Sequence, residues 1–410
     1  MSQFLFFCVV LFFQITFSYE GESAPSRLKR IAIIDTGFAV NHPKLDAVID
    51  RSAGFYAVAP YDSHQNYADR LDEPLIASTG RSNFHGTHVS GIAAQYFGKF
   101  QGGVVRSIVP VKVSNESDRR LDFMYALNYV RSLSDIAVVN LSWGFGGRQH
   151  RKPIHKLIEK AMLDVMASGK IIVLSSGNTG NCYSSDSYTK SVISLAKKAK
   201  GRLIVVGAYS VHCEYGTSLA PFSAYADEKI APYFITAPGD DISSYVPTSL
   251  QPDGDGICSG TSMAAPAVSG LIARIATDFP LLTVDEISQL VRESCDKIVG
   301  LNGDVLIKYG CGILDTDFTY RVCAYRYLQK WFHHKHEAEY LRFVRFRDHI
   351  GFVLSGMASN LQKNQWGIGC YLTMRYLNWL VAYSYYLMSY NQDLENKKVY
   401  LLKGFYYSAE

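Results

Sequence analysis

The chain has 410 residues, 48% of them apolar, which is enough to bury a large core and more than one ordinary domain holds. Such a composition excludes a mainly disordered protein. The formal net charge of only +4 gives no electrostatic case for nucleic acid or for an acidic polymer as partner.

Residues 1–18 read as an export signal: Phe4 to Phe13 is apolar, Ile15 to Phe17 continues the run, and Thr16-Phe17-Ser18 offers small residues for cleavage. A secreted or periplasmic location follows. The alternative is an uncleaved signal anchor, but Gln14 interrupts a stretch already short for a span. Residues 19–29 form a short linker. The run Arg30-Ile31-Ala32-Ile33-Ile34 then predicts a buried parallel strand ending at Asp35, with Thr36-Gly37 turning the chain.

His85 precedes Gly86-Thr87-His88-Val89-Ser90-Gly91-Ile92-Ala93-Ala94, a helix with small residues on its packed face. Val138 to Leu141 is a strand running into Ser142-Trp143-Gly144 and the glycine-rich loop 144–147. Ile171 to Leu174 is another, followed by Gly177-Asn178, and Leu203 to Ala208 a further one. Ser262 opens a helix with Pro266 in its first turns, where a missing N–H is tolerated best. Thr283 to Val291 is a capped helix. This alternation predicts, over residues 30–316, an α/β fold with a mostly parallel central sheet and helices on both faces.

Residues 317–410 read as a small helical C-terminal extension rich in Tyr, Phe, Arg and His, either packing on the preceding domain or binding a partner. Trp331 to Glu337 carries three histidines, but adjacent helical positions point apart, so no metal site is assigned. Tyr371 to Tyr390 is apolar but broken by Arg375 and Asn378, which fits a buried or interfacial helix better than a membrane span.

Three segments place a reactive side chain in a glycine-rich bend: Asp35, His85 and Ser262, in that order. A serine hydroxyl needs a base within hydrogen-bond reach to act as a nucleophile. An imidazole serves as that base and later as an acid, and a buried carboxylate fixes its tautomer. The expected roles are Ser262 nucleophile, His85 general base and acid, Asp35 orienter. Singly, each segment reads as a turn, a packed histidine or a helix cap. His88, three positions after His85, leaves the choice of histidine open, and the pair lacks the glutamate of the helical zinc motif.

Taken together, Ile33-Ile34-Asp35-Thr36-Gly37, His85-Gly86-Thr87-His88 and Gly260-Thr261-Ser262-Met263-Ala264-Ala265-Pro266 resemble the subtilisin-like serine peptidases, whose residue order is Asp, His, Ser. The resemblance makes His85 the base and His88 structural. It implies that Asn178 is the oxyanion donor and that Ser142, Trp143 and Gly144 contact an extended polypeptide substrate. Tyr309 to Asp315 resembles the segment that closes such a domain. The expected function is a secreted serine endopeptidase acting through an acyl-enzyme. The alternative is a catalytically impaired relative that binds peptides or a partner. No cofactor is needed for this chemistry. Structural calcium is allowed by the resemblance, with no ligands assigned. Many secreted members carry a domain-sized propeptide where this sequence has only Tyr19 to Arg30, so either the chain folds unaided, or the missing part is supplied elsewhere, or the sequence is incomplete.

Without Cys8, seven cysteines remain: Cys182, Cys213, Cys258, Cys295, Cys311, Cys323 and Cys370. In an oxidising compartment some pairing is expected, with Cys295–Cys311 and Cys182–Cys213 nearest in sequence. Cys258, four residues before Ser262, is expected near the site and would make the enzyme thiol-sensitive.

Overall fold

A computed structural model describes residues 29–57, 84–98, 108–113, 120–142, 152–185, 187–212, 216–296 and 307–335. The signal 1–18, Trp143, Gly144, Cys213, Cys370 and the segment 371–390 lie outside the described residues.

Seven strands lie in the order β2 (Phe55–Ala57), β3 (Ile108–Val113), β1 (Arg30–Asp35), β4 (Ile136–Leu141), β5 (Ile171–Ser175), β6 (Leu203–His212) and β7 (Gly216–Leu219), with β8 (Phe234–Pro238) also on β6. All pairings are parallel except β6 with β7. The inner strands β1, β3, β4 and β5 are nearly all apolar because both faces of a parallel sheet are covered by helices.

Alternate residues of β1 enter opposite cores, as a period of two requires. Ile31 and Ile33 pack with Val89, Ile92, Val268 and Leu271 from α1 (His85–Phe97) and α5 (Thr261–Asp278). Ala32 and Ile34 pack with Phe123, Leu127, Val165 and Val192 from α2 (Arg120–Ser132), α3 (Lys152–Ala167) and α4 (Ser187–Lys198). Helices α1 and α5 approach closely: a Cβ on Gly270 would come within 2.7 Å of Tyr96 Cβ. Helix α6 (Val284–Glu293) opens with the expected capping box between Thr283 and Glu286.

Helix α7 (Thr316–Lys335), the start of the extension, shares the α1/α5 core through the fully buried Cys323. Phe279 lies with its ring centroid 4.9 Å from that of Tyr320 and 5.4 Å from that of Tyr327. Arg274 sits 4.3 Å over the Tyr320 ring, and Tyr320 donates to Asp278 at 2.9 Å. Lys330 pairs with Glu286 at 2.5 Å.

Two features were not read from the sequence. A two-stranded sheet, β9 (Ile242–Tyr245) with β10 (Asp255–Cys258), covers α1, and Ser244 Oγ donates to the His88 carbonyl at 2.7 Å. The expected Cys295–Cys311 bridge is absent: both are thiols, and their Sγ atoms instead donate to the carbonyls of Val291 and Ala231, each at 3.3 Å. Cys182 is likewise a thiol.

Candidate active site

Strand β1, flanked by β3 and β4, carries Asp35 at its C-terminal end; His85 pairs with that carboxylate, and Ser262 rests on the Ser142 backbone that follows β4. Asp35 ends β1, its side chain only 2% exposed. Its Oδ1 accepts from the Thr36 N–H at 2.7 Å and the Thr36 hydroxyl at 3.2 Å.

His85 is the first residue of α1. The helix can start this close to β1 because residue 86 is glycine. A Cβ there would lie 2.9 Å from the Phe38 ring and 3.1 Å from Asp35 Cβ. His85 Nδ1 lies 2.8 Å from Asp35 Oδ1 and 2.9 Å from Oδ2. An ionised carboxylate only accepts, so Nδ1 carries a proton and the neutral ring keeps Nε2 as its basic nitrogen. Burial opposes the imidazolium, but the charge and hydrogen bond of Asp35 outweigh it and raise the His85 pKa above 6.5.

His88 does a different job. It is fully buried, and its Nε2 donates to the Gly256 carbonyl at 3.2 Å. Burial lowers its pKa and keeps it neutral. That nitrogen is committed to the β10 backbone, which separates the two histidines where the residue pattern alone did not.

Ser262 is the second residue of α5, half-buried, with its hydroxyl donating to the Ser142 carbonyl at 2.8 Å. Ser142 answers by donating its own hydroxyl to the Ser262 carbonyl at 2.7 Å. Asn178 follows the end of β5. Its Oδ1 accepts from the Thr261 N–H at 2.9 Å and the Thr261 hydroxyl at 3.0 Å, while Thr261 Oγ1 accepts from the Gly177 N–H at 3.0 Å. With the carbonyl end occupied, Nδ2 is turned toward Gly260, 3.1 Å from where a Cβ on that glycine would stand. Such an amide can donate beside the start of α5, whose dipole also favours negative charge.

Four nearby residues drew no role from the sequence. Thr261 was visible only as part of a motif. Asn140 and Ser269 are polar residues inside an apolar strand and helix, which is the signal that marks them. Lys112 of β3 is fully buried, in register with Asp35, with its ammonium 4.8 Å from the Tyr56 ring centroid. Among the described residues no group of three or more His, Cys, Asp or Glu side chains could hold a metal ion.

A mostly parallel α/β fold with a half-buried histidine paired to a buried aspartate, and a serine at a helix N-terminus, defines a class of hydrolase architecture. The subtilase family model matches residues 29–312, and the chain belongs to that family. It is 30% identical over 288 residues to a thermophilic serine proteinase of Bacillus sp. (strain AK1), a match covering 69% of this chain and 59% of that protein. It is 29% identical over 249 residues to the major intracellular serine protease of Bacillus subtilis, covering 60% of this chain and 67% of the relative. Among solved structures, fervidolysin from Fervidobacterium pennivorans shares the fold with a TM-score of 0.52 at 23% identity, over 73% of this chain and 43% of that one. A protease from Pseudoalteromonas arctica gives a TM-score of 0.52 at 20% identity, over 73% and 91%.

Proposed function

We propose that this chain is a secreted serine endopeptidase that cleaves extended polypeptides through an acyl-enzyme. The observation that carries the reading is the pair of short contacts, 2.8 and 2.9 Å, between the buried Asp35 carboxylate and His85 Nδ1. They leave the opposite ring nitrogen as a base.

In the proposed cycle, Ser262 Oγ attacks the scissile carbonyl while His85 Nε2 takes its proton. Asp35 holds the ring and stabilises the imidazolium. The carbonyl oxygen becomes negative and is met by the Asn178 amide and a backbone N–H at the start of α5. His85 then protonates the leaving amine, and a water molecule deprotonated by the same ring releases the acid product. Trp143 and Gly144 are assigned to the substrate's backbone and the pocket beside the scissile bond, whereas Ser142, expected to join them, is buried and bonded to Ser262. The apolar run within residues 1–18 supports export. No helix of the described residues is long and apolar enough to cross a membrane.

Digestion of a peptide library by purified protein beside a Ser262→Ala control tests the reading. Cleavage that disappears in the control supports it. Equal cleavage by both proteins refutes the nucleophile assignment, and none by either favours the impaired peptide binder.

A further inference from the structure

Helix α5 is pinned to strand β4 at two heights. Asn140 and Ser142 share one strand face at a spacing of two, and Ser262 and Ser269 share one helix face at a spacing of seven. The helix starts at the C-terminal end of the strand and runs back along it, so its first serine meets Ser142 and the later one meets Asn140.

The polarity of this network follows from one end. The Ser262 carbonyl only accepts, so the Ser142 hydroxyl must spend its proton there, at 2.7 Å. Ser142 Oγ can then only accept from Asn140 Nδ2, at 2.9 Å. That turns Asn140 Oδ1 toward Ser269, whose hydroxyl donates to it at 2.9 Å instead of to the more distant Ala265 carbonyl at 3.2 Å. Asn140 and Ser269 are 0% exposed and Ser142 1%, so water cannot replace a lost partner, and the chain of bonds has one direction. It ends on the Ser262 carbonyl, and the Ser262 hydroxyl returns a bond of its own to the Ser142 carbonyl.

We propose that Asn140 and Ser269 are positioning residues that act through Ser142 to hold Ser262 in register with the catalytic site. This rests on the hydrolase reading above. Neither residue touches substrate or the reacting atoms.

The test compares wild type with Ser269→Ala and Asn140→Asp, each normalised to the sites titrated by a fluorophosphonate. Ser269→Ala removes one hydroxyl and keeps a good helix former. The expected result is a fall in kcat of about three- to ten-fold with KM within about two-fold. Asn140→Asp keeps the shape but offers two acceptors, so the Ser142 proton is drawn away from the Ser262 carbonyl. A larger fall, roughly ten-fold or more, is expected. The acid limb of the pH profile should stay in place for both, since the Asp35–His85 pair is untouched. A lower melting temperature with wild-type kcat per titrated site would mean a structural role alone and would overturn the inference. A wild type that takes no label overturns the hydrolase reading and this inference with it, whereas a labelled wild type with unchanged variants overturns only this one.

Discussion

Thr261 holds Asn178 by two bonds to the same oxygen, one from its backbone N–H and one from its hydroxyl, and in doing so directs the Asn178 amide hydrogens toward the start of α5. The residue just before the assigned nucleophile thus orients the assigned oxyanion donor.

Asn178→Ala should lower kcat by about 10²–10³ while leaving KM near the wild-type value. That range was established on subtilisin, a member of this same family. Thr261→Val keeps the backbone bond and loses the hydroxyl, so a smaller loss, about three- to ten-fold, is expected. Steady-state kinetics on one peptide substrate checks both. An unchanged kcat in Asn178→Ala would remove the oxyanion assignment.

Because Asp35 raises the His85 pKa, kcat/KM should climb with pH through an acid limb centred above 6.5. The stability linkage has the opposite sense. A pKa raised by folding contributes stability that is complete below the unfolded value of about 6.5 and is lost as pH rises through the folded value. Asp35→Asn removes both causes of the raised pKa, so it should pull the acid limb down as well as cutting kcat steeply. A pH–rate profile with its limb below 6.5 in the wild type would contradict this electrostatic account.

Helix α7 lies beyond the family match yet contributes the buried Cys323 and Thr319, and Thr319 accepts the Ser294 hydroxyl at 2.7 Å. A chain stopped after Asp315 uncovers Phe279 and Ser294 and removes Thr319 from that pair. It should lose roughly 3 kcal/mol or more, comparable to emptying a large apolar site. A chain stopped after Lys335 should keep this contribution. Thermal or urea unfolding of the two truncations distinguishes them, and equal stability would show that α7 adds nothing to the core.

Cys258 belongs to β10 and is half-buried, and burial raises its thiol pKa above the ordinary value. Little thiolate exists at neutral pH, so alkylating reagents should react slowly and spare activity. Slow reaction would weigh against the thiol sensitivity expected from its closeness to Ser262 in sequence. Rapid inactivation by iodoacetamide at pH 7, absent in Cys258→Ala, would restore it.

What was legible in the sequence were features fixed locally. Apolar runs such as Ile31 to Ile34 specify parallel strands, and Asp35, placed at the end of one, is carried to the edge where such folds build sites. Gly86, Gly260 and the order of the three segments pointed to the same place. What was not legible depends on which elements pack together. The commitment of His88 to Gly256, the Asn140–Ser269 bond across strand and helix, and the register of Lys112 with Asp35 each join residues far apart in the chain. The thiols at Cys295 and Cys311 make the same point, since nearness in sequence does not set the direction of a sulfur.

The most direct test of the account is the site of a covalent fluorophosphonate adduct. Intact mass should show one adduct per chain, and peptide mapping should place it on Ser262, with none formed by Ser262→Ala and far slower labelling of His85→Ala. A folded wild-type chain that takes no adduct, or takes it on another residue, would contradict the proposed triad.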